Sequence, residues 1–303
     1  MNVLPLYYCP NCGREMIEHL KDIKRTSSFH DCVRRCISCE IGVSNSGDKP
    51  TVIFRNIAQN FPGEVLDGMD EILSQSLNVT NRKNKQNRMG FVTSEDAFTW
   101  VFVKHLSSEN SVEALGSIFS FREKISNIVL WGTSLFEEKR ETSRNKLVTI
   151  CNNLGENPLR YSEPDIIIES DSEVVFVEVK LRSGNASEKN RDKFSKYLVP
   201  KLYVDETKAK DSGLYELVRN WTIGNIYASS KHFRLVNLGP EALFRTATSK
   251  DSELFKDAIG KSPDFVETSW ESIFEKNEFK RQPDWFKKDL EMRFRLNRVG
   301  RGY

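Results

Sequence analysis

The chain has no long apolar run. Nothing in it approaches the roughly 18 uninterrupted apolar residues of a membrane-spanning helix, so no membrane partner is expected. It has almost no net charge, +2 over 303 residues, and therefore no global field that would draw it to a polyanion. Its start, "MNVLPLYYCP", lacks the basic and apolar regions of a secretion signal, which points to a cytoplasmic protein. A glycine-rich phosphate loop and a Ser-His-Asp pattern are both missing. Histidine is scarce, and His19, His105 and His232 stand isolated, as satisfied or exposed side chains do. Cysteine is scarce too, and five of the six residues precede position 40, which is no disulfide scaffold in a chain this long.

Those few cysteines are ordered. "CPNC" places Cys9 and Cys12, and "CISC" places Cys36 and Cys39, as two C-x2-C pairs. A two-residue spacer lets both sulfurs of a pair reach one tetrahedral ion at about 2.3 Å, and two such pairs complete its shell. His30 and Cys32 lie close enough to substitute, but neither forms a C-x2-C pair. The segment resembles a zinc ribbon, with Zn2+ as a structural staple, since forty-odd residues cannot hold themselves together by burial. Arg34 and Arg35 leave open whether it also grips nucleic acid. The expected organisation is a ribbon over residues 1–44, a polar linker at 45–50 ("SNSGDKP" spans it) and a larger domain over 51–303.

In that domain "GEVLDGMDEILSQSL" reads as helix and "NRKNKQNR" (81–88), with four basic residues and no acid, as a basic loop. "TSEDAFTWVFVKHL" is a marked helix, with Thr93 or Ser94 as N-cap. Further helices are expected over 111–130, 134–154, "SEKNRDKFSKYLV", "GLYELVRNW" and 251–259, and a strand at "HFRLV". The stretch after Pro283 begins as helix, yet "MRFRL" alternates like a strand. From Lys280 to the end, eight basic residues face three acidic ones, and both basic runs could neutralise phosphates. Trp221, Trp270 and Trp285 read as core or domain-interface residues rather than base-stacking platforms. The mixture of strands and helices predicts an α/β protein.

The chemistry concentrates in "SEPDIIIESDSEVVFVEVK", residues 162–180. A two-residue turn at Asp171–Ser172 makes opposed positions sum to 343, which sets Asp165 across from Glu178. Two carboxylates there repel each other unless a cation sits between them. Alternation places Phe176, Glu178 and Lys180 on one face and Val175, Val177 and Val179 on the other. The expectation is that the valines pack on a helix while Glu178 and Lys180 emerge beside Asp165. Such a pair suits a hard divalent ion, Mg2+ or Mn2+, and a neighbouring lysine can orient the attacking water and favour its hydroxide form.

"PD" at 164–165 followed by "EVK" at 178–180 resembles the PD-(D/E)xK nuclease superfamily. The resemblance implies a restriction-endonuclease-like mixed sheet flanked by helices and metal-dependent hydrolysis of phosphodiesters. It implies Asp165, Glu178 and the backbone carbonyl of Val179 as metal ligands, and Lys180 as the catalytic lysine. It also implies an acid from a preceding helix. There Glu95 falls on the stripe of Phe98, Phe102 and Leu106, while Asp96 turns toward Trp100 and Val103. A carboxylate on a core-facing stripe needs a partner, so Glu95 is the choice. One exonuclease branch carries a Q-x3-Y motif; here Tyr197 is present, but Lys193 stands in place of the glutamine. A nucleic-acid partner follows from the resemblance, DNA before RNA, with a role in restriction or defence against foreign DNA. A homodimer, or a protein partner in a larger system, stays open. The rival is a zinc-ribbon nucleic-acid-binding protein whose nuclease-like domain is inactive, and a scaffolding subunit is the third reading.

Overall fold

Apolar strands alternating with helices build two sheets in the computed structural model, which describes residues 7–19, 29–44, 51–181, 184–185, 191–245 and 248–298. The strands are β1 Ile17–Glu18, β2 Arg34–Cys36, β3 Ile41–Val43, β4 Val52–Phe54, β5 Asn127–Leu130, β6 Thr133–Ser134, β7 Ile166–Glu169, β8 Glu173–Val179, β9 His232–Gly239 and β10 Phe265–Ser269. The helices begin with α1 Met69–Gln75, α2 Arg82–Arg88, α3 Glu95–Leu106, α4 Val112–Ile118, α5 Arg140–Asn153 and α6 Glu206–Asp211. They continue with α7 Tyr215–Ala228, α8 Glu241–Arg245, α9 Thr248–Ala258, α10 Trp270–Glu275, α11 Asn277–Lys280 and α12 Asp284–Arg298. The protein is α/β. It divides into one unit of residues 1–70, 83–105 and 283–303, and a second of 71–82 and 106–282.

In the first unit an antiparallel sheet runs in the order β1-β2-β3-β4. Strand β4 pairs with β3, Val52 against Val43, so the ribbon's sheet extends past the boundary expected at residue 44. Met16, Ile41, Val43, Val52 and Val92 form its small core together with Cys9 and Cys36. Helix α3 is capped by Ser94, whose Oγ accepts the Ala97 N–H at 3.2 Å. Every residue from Ala97 to Val103 is buried, Thr99 included. The expected basic loop is instead helix α2: Lys, Arg and Gln are good helix formers, and the first Gly comes only at 90. Its Lys85 is buried and lies 4.0 Å from Asp96. The stretch after Pro283 is helix α12 as far as Arg298. Its Arg293 is buried on Asn60 and Asp289, with the guanidinium over the Phe61 ring. Lys85 and Arg293 therefore serve the fold of this unit rather than a solvent-facing basic patch; residues 299–303 lie outside the described residues.

In the second unit a six-stranded mixed sheet runs β10-β9-β8-β7-β5-β6. The hairpin β7–β8 is antiparallel, and the parallel pairs β8–β9 and β9–β10 are each joined through helical crossovers. Strand β5 falls where helix was expected. It turns into β6 through Trp131 and Gly132, at φ 51° and 85°, the tight left-handed turn a two-residue hairpin needs. A Cβ on Gly132 would lie 2.3 Å from the Leu77 side chain. Strand β8 is buried at all seven positions, because it is an inner strand covered on both faces. The 187–190 part of the expected helix over "SEKNRDKFSKYLV" lies outside the described residues, and Arg191–Tyr197 is a 3-10 helix.

A candidate hydrolytic site and a candidate metal centre

The four paired cysteines converge: the sulfurs of Cys9, Cys12, Cys36 and Cys39 all lie within 4.8 Å of one another. Cys12 Sγ and Cys36 Sγ are 3.7 Å apart, close to the edge of about 3.8 Å that bonds of 2.3 Å give a tetrahedron. The residue after each pair turns left-handed, Gly13 at φ 69° and Glu40 at φ 51°, which curls each knuckle around its sulfurs. Four cysteines so placed could hold a metal such as zinc. His30 and Cys32 are not among them, and Cys32 is fully buried beside Gly42 instead. Burial pushes the Cys9 thiol up to about 12, whereas the backbone N–H of Arg14 holds Cys12 down to about 7. Arg34 and Arg35 rest over the rings of Tyr7 and Phe29, 4.5 and 5.1 Å from the centroids.

The second cluster is built by the β7–β8 hairpin. Its ladder pairs Ile166 with Val177, Ile167 with Phe176 and Ile168 with Val175, the register that sums to 343. One step beyond, Asp165 stands against Glu178, and Asp165 Oδ2 accepts the backbone N–H of Val179 at 2.8 Å. Glu178 and Lys180 do not emerge, as they are 3% and 4% exposed. Their face is the one packed on α7: Phe176 stacks edge-on with Tyr227 of that helix at 5.6 Å, and Asn220 reaches Glu178. The valine face is covered as expected, but the face of Glu178 and Lys180, expected to emerge, is covered too. A strand bare of cover on neither side gives its charged end no open face.

Helix α7 supplies the partners. Lys180 Nζ donates to Glu178 Oε1 and lies 2.9 Å from Glu216 Oε2. Asn220, fully buried, donates from Nδ2 to Glu178 Oε2 at 2.7 Å, while its Oδ1 accepts Arg219 Nε at 3.1 Å. That second bond fixes which end of the amide faces the carboxylate. Arg219 Nη2 is itself 3.9 Å from Glu178 Oε2. Burial alone would lower the arginine's pKa, but Glu178 and Glu216, with Tyr197 and Tyr215, outweigh it and raise it. From beneath, the Trp270 indole donates to the Lys180 carbonyl at 3.0 Å.

Glu216, Arg219 and Asn220 were not expected in the site. They sit at i, i+3 and i+4, a polar stripe beside the apolar one of Leu217, Val218 and Trp221. That stripe is the signal present in the sequence, although the strand it faces is not. Tyr197 is buried, and its hydroxyl donates to Glu156 Oε1 at 2.7 Å; Ser162 donates to the same carboxylate through its N–H at 2.6 Å and its Oγ at 2.7 Å. It ties down the segment leading into Pro164–Asp165. Lys193 is exposed. Glu95 heads α3 in the first unit, while Asp165, Glu178 and Lys180 belong to the second. Asp96 is paired with Lys85. Compared with known protein families, with curated proteins and with solved structures, the chain matches none.

Proposed function

We propose that the protein is a metal-dependent nuclease that hydrolyses phosphodiester bonds, of DNA before RNA, with a restriction-endonuclease-like core. The observation that carries this reading is the hairpin register, which sets Asp165 against Glu178–Val179–Lys180 with the Asp165 carboxylate on the Val179 amide. The cluster lies at the carboxyl end of β8, in a parallel pair with β9, where open α/β sheets collect their sites. Three carboxylates (Asp165, Glu178, Glu216) meet two cations (Lys180, Arg219), which leaves one negative charge in excess. Asp165, Glu178 and the Val179 carbonyl would hold Mg2+ or Mn2+, whose two charges would reverse that sign and suit the site to one phosphodiester. When bound, the ion would polarise the phosphoryl group and make water more acidic.

The chain's own part is positional. Lys180 aims the attacking water, whose oxygen forms the new P–O bond while the ester oxygen leaves with the bonding pair and takes up a proton. Asn220 fixes Glu178 by its hydrogen bond. Glu95 is the candidate for the additional acid that the resemblance implies, and Zn2+ on the four cysteines staples the ribbon. The activity fits restriction or defence against foreign DNA.

A second reading draws on a specific observation. Glu178 and Asp165 already have protein donors in Lys180, Asn220 and the Val179 N–H, as an inactive nucleic-acid-binding relative would. Incubating plasmid and linear DNA with Mg2+, with Mn2+ and with EDTA separates the two. Metal-dependent cleavage supports the nuclease. A shifted band in EDTA with no cleavage in either metal supports the binding protein.

A further inference from the structure

Lys180 of the hairpin cluster touches two carboxylates. Its ammonium, 4% exposed, is held by Glu178 Oε1 from its own strand and lies 2.9 Å from Glu216 Oε2, which is in the first turn of α7. The other oxygen of Glu178 is taken by Asn220. Resting on the nuclease reading, this arrangement raises a conflict: a divalent ion on Glu178 Oε1 would sit against the Lys180 ammonium on the same oxygen, and like charges repel. An ammonium held on Glu178 would keep the ion off that carboxylate.

We propose that Glu216 is the positioning residue that resolves this conflict. It receives the Lys180 ammonium when Glu178 turns to the metal ion, and so keeps the lysine aimed. The three N–H donors of an ammonium allow both contacts at rest and either one alone. Asn220 completes the exchange from the Glu178 side, since its amide orientation is set by Arg219 and does not depend on Lys180. Glu216 sits where the helix N-terminus favours a carboxylate whether or not the lysine is present.

The test is a double-mutant cycle on Mn2+ affinity, followed by Mn2+ paramagnetic resonance in the full chain. If Glu216 acts through Lys180, Glu216→Gln leaves the ammonium on Glu178 and weakens Mn2+ binding about tenfold, within the coupling usual for contacting charged groups. Lys180→Ala removes the competitor and tightens binding. In the Lys180→Ala background Glu216→Gln changes affinity by less than about twofold. Equal weakening in both backgrounds overturns the inference, because Glu216 then acts on the ion directly; no weakening in either overturns it as well. A wild-type chain that binds no Mn2+ overturns the nuclease reading and this inference together.

Discussion

Replacing Asp165 by Asn and by Ala separates a metal ligand from a hairpin clasp. The carboxylate accepts the Val179 N–H at 2.8 Å. Ala removes that acceptor and leaves an N–H without its partner, at a cost of about 2 kcal/mol. Asn keeps an acceptor oxygen. It also removes one of two opposed carboxylates, although Glu178 is already offset by Lys180 and Asn220. Asp165→Asn therefore changes stability by less than about 1 kcal/mol in EDTA. In a unit of this size 1 kcal/mol moves the melting midpoint by about 2–4 °C, so Ala falls by roughly 4–8 °C and Asn by little.

Metal then divides the three proteins differently. At a hundred times its Kd an ion adds about 2.7 kcal/mol to the state that binds it. That is a rise of roughly 5–10 °C for wild type on going from EDTA to saturating Mg2+. Both variants lose most of the rise, Asn included, although Asn keeps the hydrogen bond. Calorimetric melts in the two buffers read all six midpoints. If Mg2+ lifts both variants as far as wild type, Asp165 is no ligand, and the charge pair of the hairpin is an ornament of the fold.

Asn220→Leu removes the Nδ2 donor from buried Glu178 and should cost about 3 kcal/mol in urea denaturation; a cost under about 0.5 would mean Lys180 alone satisfies the carboxylate. Gly224→Ala sets a Cβ 2.1 Å from the Phe233 ring, which Phe176 and Trp221 hold edge-on, so a loss of about 1–3 kcal/mol is expected. Unchanged stability would show that the ring yields. Elemental analysis should find about one zinc per chain, lost in Cys12→Ser and Cys36→Ser and kept in Cys32→Ala. In metal-stripped protein iodoacetamide should take exposed Cys12 before buried Cys9, in line with thiols near 7 and 12; equal rates by peptide mapping would refute that order.

What the sequence made legible were features carried by short spacings. Two C-x2-C pairs converge because a two-residue spacer has few ways to close. The β7–β8 register follows from a two-residue turn, closed here by the Ser170 N–H on the Glu173 carbonyl at 2.9 Å. Features that depend on what covers a surface were not legible. Strand β5, in "SNIVLWG", is a short apolar run that periodicity cannot tell from buried helix, and a Trp in a left-handed turn is a rare signal. The choice between Glu95 and Asp96 rested on an apolar stripe, yet α3 is buried on nearly every side from Ala97 to Val103, so helical phase discriminates little. The pairing of Asp96 with Lys85 depended on reading α2 as helix.

The face of β8 was the costliest of these misreadings, and its cause is instructive. Val175, Val177 and Val179 looked like the covered side because they are the uniform side, and Glu178 and Lys180 looked exposed because they are charged. An inner strand is covered on both sides, so its charges must find partners rather than water. Those partners come from α7, the crossover from β8 to β9, whose first turns necessarily lie near the end of β8. A polar stripe at the start of such a crossover is therefore placed by topology against whatever ends the preceding strand. Given E-x-K at that end, Glu216, Arg219 and Asn220 complement it in order: a carboxylate for the lysine, then a guanidinium and an amide for the glutamate. Removing Lys180 would take from Glu178 and Glu216 the cation that they share. The two residues of E-x-K and the three of α7 thus form one electrostatic unit, whose members are meaningful only together.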